Sequence, residues 1–104
     1  MLKYGLYGKF LVDQENRDEL GSILLEAAEA MAHVDGCEVY QISISPDEPQ
    51  AVYVYEVWTD EAAHQASLAL DVTQTLIRRA KPLITGIERL HTLQTLGGIG
   101  FYTE

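Results

Sequence analysis

The segment from Ala51 to Leu70, AVYVYEVWTDEAAHQASLAL, constrains the fold more than any other, because it makes a strand run directly into a helix. Six of its first eight residues are Val, Tyr or Trp, types that pack well on a pleated surface. Thr59 and Asp60 then offer capping oxygens, and Glu61, Ala62 and Ala63 suit a first helical turn. The strand is therefore expected to end near Trp58, with the helix starting almost at once. A side chain at a strand end and one on the first turns of the next helix converge on one cleft. Trp58 and His64 are so placed, with Tyr53, Tyr55, Glu56 and Glu61 close by in sequence.

Upstream, Lys3 to Val12 reads as a first strand interrupted by Gly5 and Gly8, glycines of the kind that mark a bulge or a close backbone approach. From Asp13, read as a cap, the spacing changes to that of a helix. Leu20, Ile23, Leu24, Ala27, Ala30, Met31 and Val34 recur at three- and four-residue steps, with Glu15, Asp18 and Glu19 loading the N-terminal end. His33 is placed to meet the terminal carbonyls, and Asp35-Gly36 to turn the chain. Cys37 to Ser45 alternates as a second strand, and Pro46 to Gln50 supplies turn chemistry, so a hairpin joins it to the strand beginning at Ala51. Pairing Ser45 with Ala51 sets Ile44 opposite Val52, Ile42 opposite Val54 and Tyr40 opposite Glu56. The even-numbered residues then form the face beneath the helices, while Cys37, Val39, Gln41 and Ser43 share the other face with Tyr53, Tyr55 and Val57.

Beyond this segment, Asp71 is read as the cap of a further helix, Pro82 as its end and Gly86 as its exit, before a fourth strand from Ile87 to Leu96. The order strand, helix, strand, strand, helix (in one or two pieces), strand is a ferredoxin-like βαββαβ arrangement. It belongs to the α+β class, with a four-stranded antiparallel sheet and its helices on one face. A chain of 104 residues suggests one domain, 1–104. No second layer remains to cover the aromatic odd-numbered face, and a partner subunit is the simplest cover. Phe101 and Tyr102, in the tail, are expected to extend the last strand or to lie on that partner.

Charge and composition narrow the function. Seven basic against sixteen acidic side chains leave a net charge of −9, which repels a phosphate backbone, so nucleic acid is not an expected partner. Cys37 is the single cysteine, which excludes an internal disulfide and accords with a reducing compartment. No apolar run reaches membrane-spanning length, and MLKYGLYGKFLV lacks the form of a signal peptide; a cytoplasmic location is the expectation. His33, His64 and His91 are too scattered for a metal-ligand pattern, and neither a phosphate loop nor a nucleophile elbow occurs.

Gly36-Cys37, Tyr40, Ile42, Glu56-x-Trp58, Asp60-Glu61-Ala62 and His64 follow the order and approximate spacing of the antibiotic biosynthesis monooxygenase family. Over nearly its whole length the chain resembles these dimeric α/β-barrel proteins, which include quinol monooxygenases. The resemblance implies a homodimer whose two sheets meet face to face. It further implies a monooxygenase that uses molecular oxygen as co-substrate and needs no metal, flavin or haem, acting on a small aromatic phenol or quinol. The haem-degrading relatives use a first-strand asparagine with a tryptophan and a histidine from later helices. This chain has none of these in place, so that branch is set aside.

On this resemblance His64 is the catalytic candidate, as base or hydrogen-bond partner of a substrate held as its anion. Trp58 and Tyr40 would wall the pocket, Leu68 and Arg79 would contact substrate, and Glu56 would orient His64 or Arg79. Each also has a purely structural reading. His64 could fill the helix–sheet interface, Trp58 could close a core, and Glu56 could be a buried acid paired with Arg78 or Arg79. Cys37 is read as an inert thiol. The alternative function is a non-catalytic homodimer that binds a small hydrophobic ligand or stabilises a larger assembly. A cavity walled by His64 and Trp58 favours the enzyme; a filled core with His64 turned outward favours the alternative.

Overall fold

The computed structural model describes residues 2–100. Strands β1 (Lys3–Val12), β2 (Cys37–Ser45), β3 (Glu48–Trp58) and β4 (Ile84–Thr95) form one sheet in the order β2-β3-β1-β4. All three pairings are antiparallel. Helices α1 (Arg17–Met31), α2 (Glu61–Leu68) and α3 (Asp71–Ala80) complete the ferredoxin-like α+β fold expected from the sequence, with the second crossover in two pieces.

The core follows the two periodicities. Leu20, Ile23, Leu24 and Ala27 of α1 pack with Leu76 and Ala80 of α3 on Val12, Val52 and Val54, and Tyr40, Ile42 and Phe10 flank them. The even-numbered face is thus the one under the helices, as the alternation of β2 and β3 requires. Register is as read for the central rungs, Ile42 opposite Val54 and Tyr40 opposite Glu56.

The departures have identifiable causes. The hairpin turns on Pro46 and Asp47 alone, with Ser45 opposite Glu48, so Pro49 and Gln50 belong to β3 rather than to a longer loop. A register shift between Ser43 and Ser45 takes Ile44 away from Val52 and leaves it 56% exposed. A second shift between Cys37 and Val39 sets Cys37 opposite Trp58, on the helix side, not on the open face. The first helix begins later than Asp13, because a 3₁₀ turn at Gln14–Asn16 precedes Arg17 and Asp13 makes no side-chain cap bond. His33 lies exposed beyond the end of α1, its backbone N–H on the Ala30 carbonyl, and its ring caps nothing. Leu70, not Asp71, precedes α3, and the helix stops at Ala80, ahead of a 3₁₀ turn that contains Pro82. Strand β4 then starts at Ile84, so Gly86 lies inside it, opposite Leu11. Phe101 and Tyr102 fall outside the described residues.

Gly8 faces the register shift between β1 and β4, where an added Cβ would lie 2.7 Å from the Glu88 carbonyl oxygen. Gly36 is more demanding. Its φ is +88°, and a Cβ there would meet the Ala63 Cβ at 2.6 Å. Its carbonyl accepts the Thr59 N–H at 2.8 Å, and Asp60 caps α2 by accepting the Ala63 N–H at 2.8 Å. The turn after α1 is therefore packed directly on the first turn of the helix that carries His64. Gly36→Ala is expected to destabilise the fold by about 1–3 kcal/mol through the left-handed backbone alone. The steric contact with Ala63 adds to this, measurable as a lower urea midpoint in chemical denaturation.

Candidate functional site

The alternation that buries Val52 and Val54 carries Glu56 and Trp58 onto the same face one and two rungs further along. Trp58 is fully buried, and its indole N–H donates to Glu56 Oε1 at 3.0 Å. The cap at Asp60 aims the inner face of α2 at this pair, so His64, 7% exposed, packs edge-on to Trp58 with ring centroids 5.7 Å apart. Tyr4 also approaches the imidazole, tilted, at the same centroid distance, 5.7 Å. His64 Nε2 lies 3.8 Å from Glu56 Oε1, while Nδ1 is sealed from solvent and has no hydrogen-bond partner among the described residues. One turn on, Ser67 donates to the His64 carbonyl at 2.6 Å and holds that turn.

These groups stand at one end of a cavity of about 750 Å³ between helices and sheet, within the range of small-molecule sites. Helix α1 contributes Ile23, Leu24, Ala27 and Met31; α2 contributes His64, Ser67 and Leu68; α3 contributes Thr73, Leu76, Ile77 and Ala80. Tyr40, Glu56, Trp58 and Phe10 line it from β2, β3 and β1, and Lys81 and residues 84–87 line it at the far end. Leu68, Ile77 and Ile87 are 38%, 44% and 69% exposed, and so mark the mouth. Glu56 pairs with Leu6 and Ile87 with Phe10, so the cavity runs four residues along β1, about 13 Å at about 3.3 Å per residue.

The walls are apolar and the polar groups converge. Burial raises the Glu56 carboxyl above the ordinary carboxylate range, while the Trp58 N–H, His64 and Arg89 pull it the other way. Burial also raises the Tyr40 hydroxyl, with Glu56 and Cys37 adding to the effect, which keeps it protonated. The Cys37 thiol is pushed up to about 11, first by burial and then by Glu56 and Glu38, in keeping with an unreactive thiol.

Five of the six residues singled out from the sequence thus meet at this cavity: His64, Trp58, Tyr40, Glu56 and Leu68. Arg79 does not. It lies on the outer side of α3, where its guanidinium binds Glu26 of α1 in a two-pronged ion pair at 3.1 and 2.8 Å. Arg78 reaches only Thr75, so neither arginine is the partner of Glu56. The basic group acting on Glu56 is Arg89, from the far strand β4. Thr73 escaped the sequence reading; its hydroxyl is buried at the cavity wall without a partner among the described residues, and a threonine in the first turn of a helix gives no signal of that.

A raised Glu56 means that the folded chain binds this proton more tightly than the unfolded one. Its contribution to stability is present below the unfolded carboxylate pKa and is lost as pH rises toward the folded value. Glu56→Gln, which keeps an acceptor for Trp58, is therefore expected to flatten that loss. Urea titrations at pH 4.5 and 7.5 should show the variant gaining on the wild type at the higher pH.

A family model described as antibiotic biosynthesis monooxygenase matches residues 4–79. A solved structure from Chloroflexus aurantiacus, itself only provisionally assigned as an antibiotic biosynthesis monooxygenase, is 36% identical with a TM-score of 0.87, covering 96% of this chain and 99% of its own. A provisionally assigned antibiotic biosynthesis monooxygenase from Caulobacter crescentus is 25% identical at a TM-score of 0.75, covering 85% and 87%. A protein from Shewanella oneidensis shares the fold at 22% identity and a TM-score of 0.80, covering 90% and 91%. No functionally curated protein matches the sequence. With the model match spanning most of the chain, this protein belongs to the antibiotic biosynthesis monooxygenase family.

Proposed function

We propose that the chain is a cofactor-independent monooxygenase that uses molecular oxygen on a small aromatic phenol or quinol. The observation that carries this reading is the mostly apolar cavity of about 750 Å³ with Glu56, His64 and Tyr40 gathered at one end. A largely apolar cleft binds a flat aromatic body, and a proton acceptor at one end meets its hydroxyl. Removing that proton gives an electron-rich phenolate able to pass an electron to oxygen, while the helices hold the ring in place and keep water out. Trp58, Tyr40 and Leu68 supply the walls, and the Glu56–His64 pair supplies the acceptor. A cavity with His64 turned inward favours this over a non-catalytic dimer with a filled core.

Oxygen uptake with a panel of hydroquinones and anthrones tests the reading. The wild type is expected to turn over at least one of them, and the double variant Glu56→Gln/His64→Ala to lose about 10²-fold in rate. A wild type inert toward the whole panel sinks the proposal, and so does a double variant as fast as the wild type.

We also propose a homodimer through the face away from the helices. Tyr7 stacks on Tyr53 with centroids 6.0 Å apart and meets Tyr55 edge-on at 6.4 Å. Leu93 of β4, 39% exposed, shares that face with them. An apolar, aromatic sheet surface of this kind is a favourable subunit contact. Tyr53 also donates to Glu48, which accepts from Lys9 at 2.7 Å, so these three polar groups are already paired within the chain. Analytical ultracentrifugation is expected to give twice the chain mass, and Tyr55→Asp to shift the equilibrium toward the monomer.

A further inference from the structure

The proton acceptor is a pair, and its two members are not equally available. In a neutral imidazole one nitrogen donates and the other accepts. His64 Nε2 faces the Glu56 carboxylate at 3.8 Å, which favours the proton on that nitrogen, and the lone pair then falls to Nδ1, which is sealed from solvent and has no partner among the described residues, so the imidazole offers the cavity no acceptor. Glu56 is arranged the other way. Oε1 takes the Trp58 N–H and faces His64, whereas Oε2 accepts no hydrogen bond from the described residues and is not sealed.

We infer that Glu56, through Oε2, is the atom that meets the substrate hydroxyl, and that His64 is a positioning residue acting through Oε1. This rests on the reading of the cavity as a phenol site. In the step, the substrate O–H bond breaks as an O–H bond forms on Oε2. The electron pair stays on the phenolate oxygen, and no electron leaves the substrate until oxygen arrives. The groups facing Glu56 are Trp58 on its own strand, Tyr40 and Cys37 from β2, His64 from α2 and Arg89 from β4. Tyr40 and Cys37 stay neutral through physiological pH, so the Trp58 N–H, His64 and Arg89 are what favour the carboxylate as the acceptor form.

Binding of 1-naphthol, un-ionised up to neutral pH, compared with 1-methoxynaphthalene, which has no O–H to donate, tests this by fluorescence titration across pH. Naphthol affinity for the wild type is expected to rise about tenfold as Glu56 ionises, since a hydrogen bond to a charged acceptor is the stronger one. The methoxy compound should bind with no such rise, and Glu56→Gln should flatten the naphthol profile. His64→Asn should keep the rise but move its midpoint upward, because His64 helps hold Glu56 ionised. Glu56→Asp, one methylene short, should keep a smaller rise and serves as the check if the Gln variant folds poorly. A rise that persists in Glu56→Gln and vanishes in His64→Asn would make His64 the acceptor and overturn the inference. So would an equal rise for the methoxy compound. If neither naphthalene binds the wild type at any pH, the phenol-site reading itself has failed, and the inference with it.

Discussion

Strand β3 cannot bury its core residues without also burying its acid. The pleat places Val52, Val54, Glu56 and Trp58 on one face at two-residue steps, and the first two are committed to the core beneath α1 and α3. Covering that face therefore draws the Glu56 carboxyl under the helices, where desolvation opposes its charge. A register slip of one residue would free the acid, but it would expose both valines and Trp58 together. The core and the site are thus one set of side chains rather than two.

Compensation for that burial is partial and local. The Trp58 indole gives Oε1 a donor, and His64 and Arg89 lie near enough to favour the ionised form, yet burial remains the larger effect. A buried acid left with a spare oxygen and a raised pKa is the arrangement expected where a proton is to be taken up, not where a fold is merely held together. Two other polar atoms of cavity-lining residues are also left incomplete: His64 Nδ1 and Thr73 Oγ1 have no partners among the described residues. Stability has been conceded at one end of a cavity whose remaining walls are mostly Ile, Leu, Ala, Met and Phe, which is the pattern of a site that awaits a mostly apolar molecule with a polar end.

How the helices reach the sheet depends on one turn. Gly36, in a conformation that other residues rarely adopt, lies against Ala63 and accepts the Thr59 N–H, so the end of α1, the end of β3 and the start of α2 are fixed to one another. This connection sets the height of His64 above Trp58. Among the described residues no helix is long and apolar enough to cross a membrane. On the opposite face, Tyr7, Tyr53 and Tyr55 cover one another without a second layer over them.

The period-two alternation of Tyr40 to Trp58 and the three- and four-residue spacing of Leu20 to Met31 were enough to determine the elements, their order and the face that meets the core. Local spacing carries this information because each element buries a single stripe or face. The strand-to-helix step placed Trp58 and His64 together, and the family resemblance added Tyr40, Glu56 and Leu68; the fold brings all five to one cavity because they stand on that face or directly over it. What local spacing could not determine were features set by pairing across the chain. The register shift beside Cys37 turned that residue to the helix side, and the shift beyond Ser43 left Ile44 in solvent. The bond to Glu26, across the α1–α3 contact, drew Arg79 away from the cavity, and Arg89 reached the acid instead from a strand far along the sequence. Only the tertiary structure decided which oxygen of Glu56 is occupied and which is free, because that depends on where Trp58 and His64 come to rest around it, and no spacing within one strand or helix specifies a position in three dimensions.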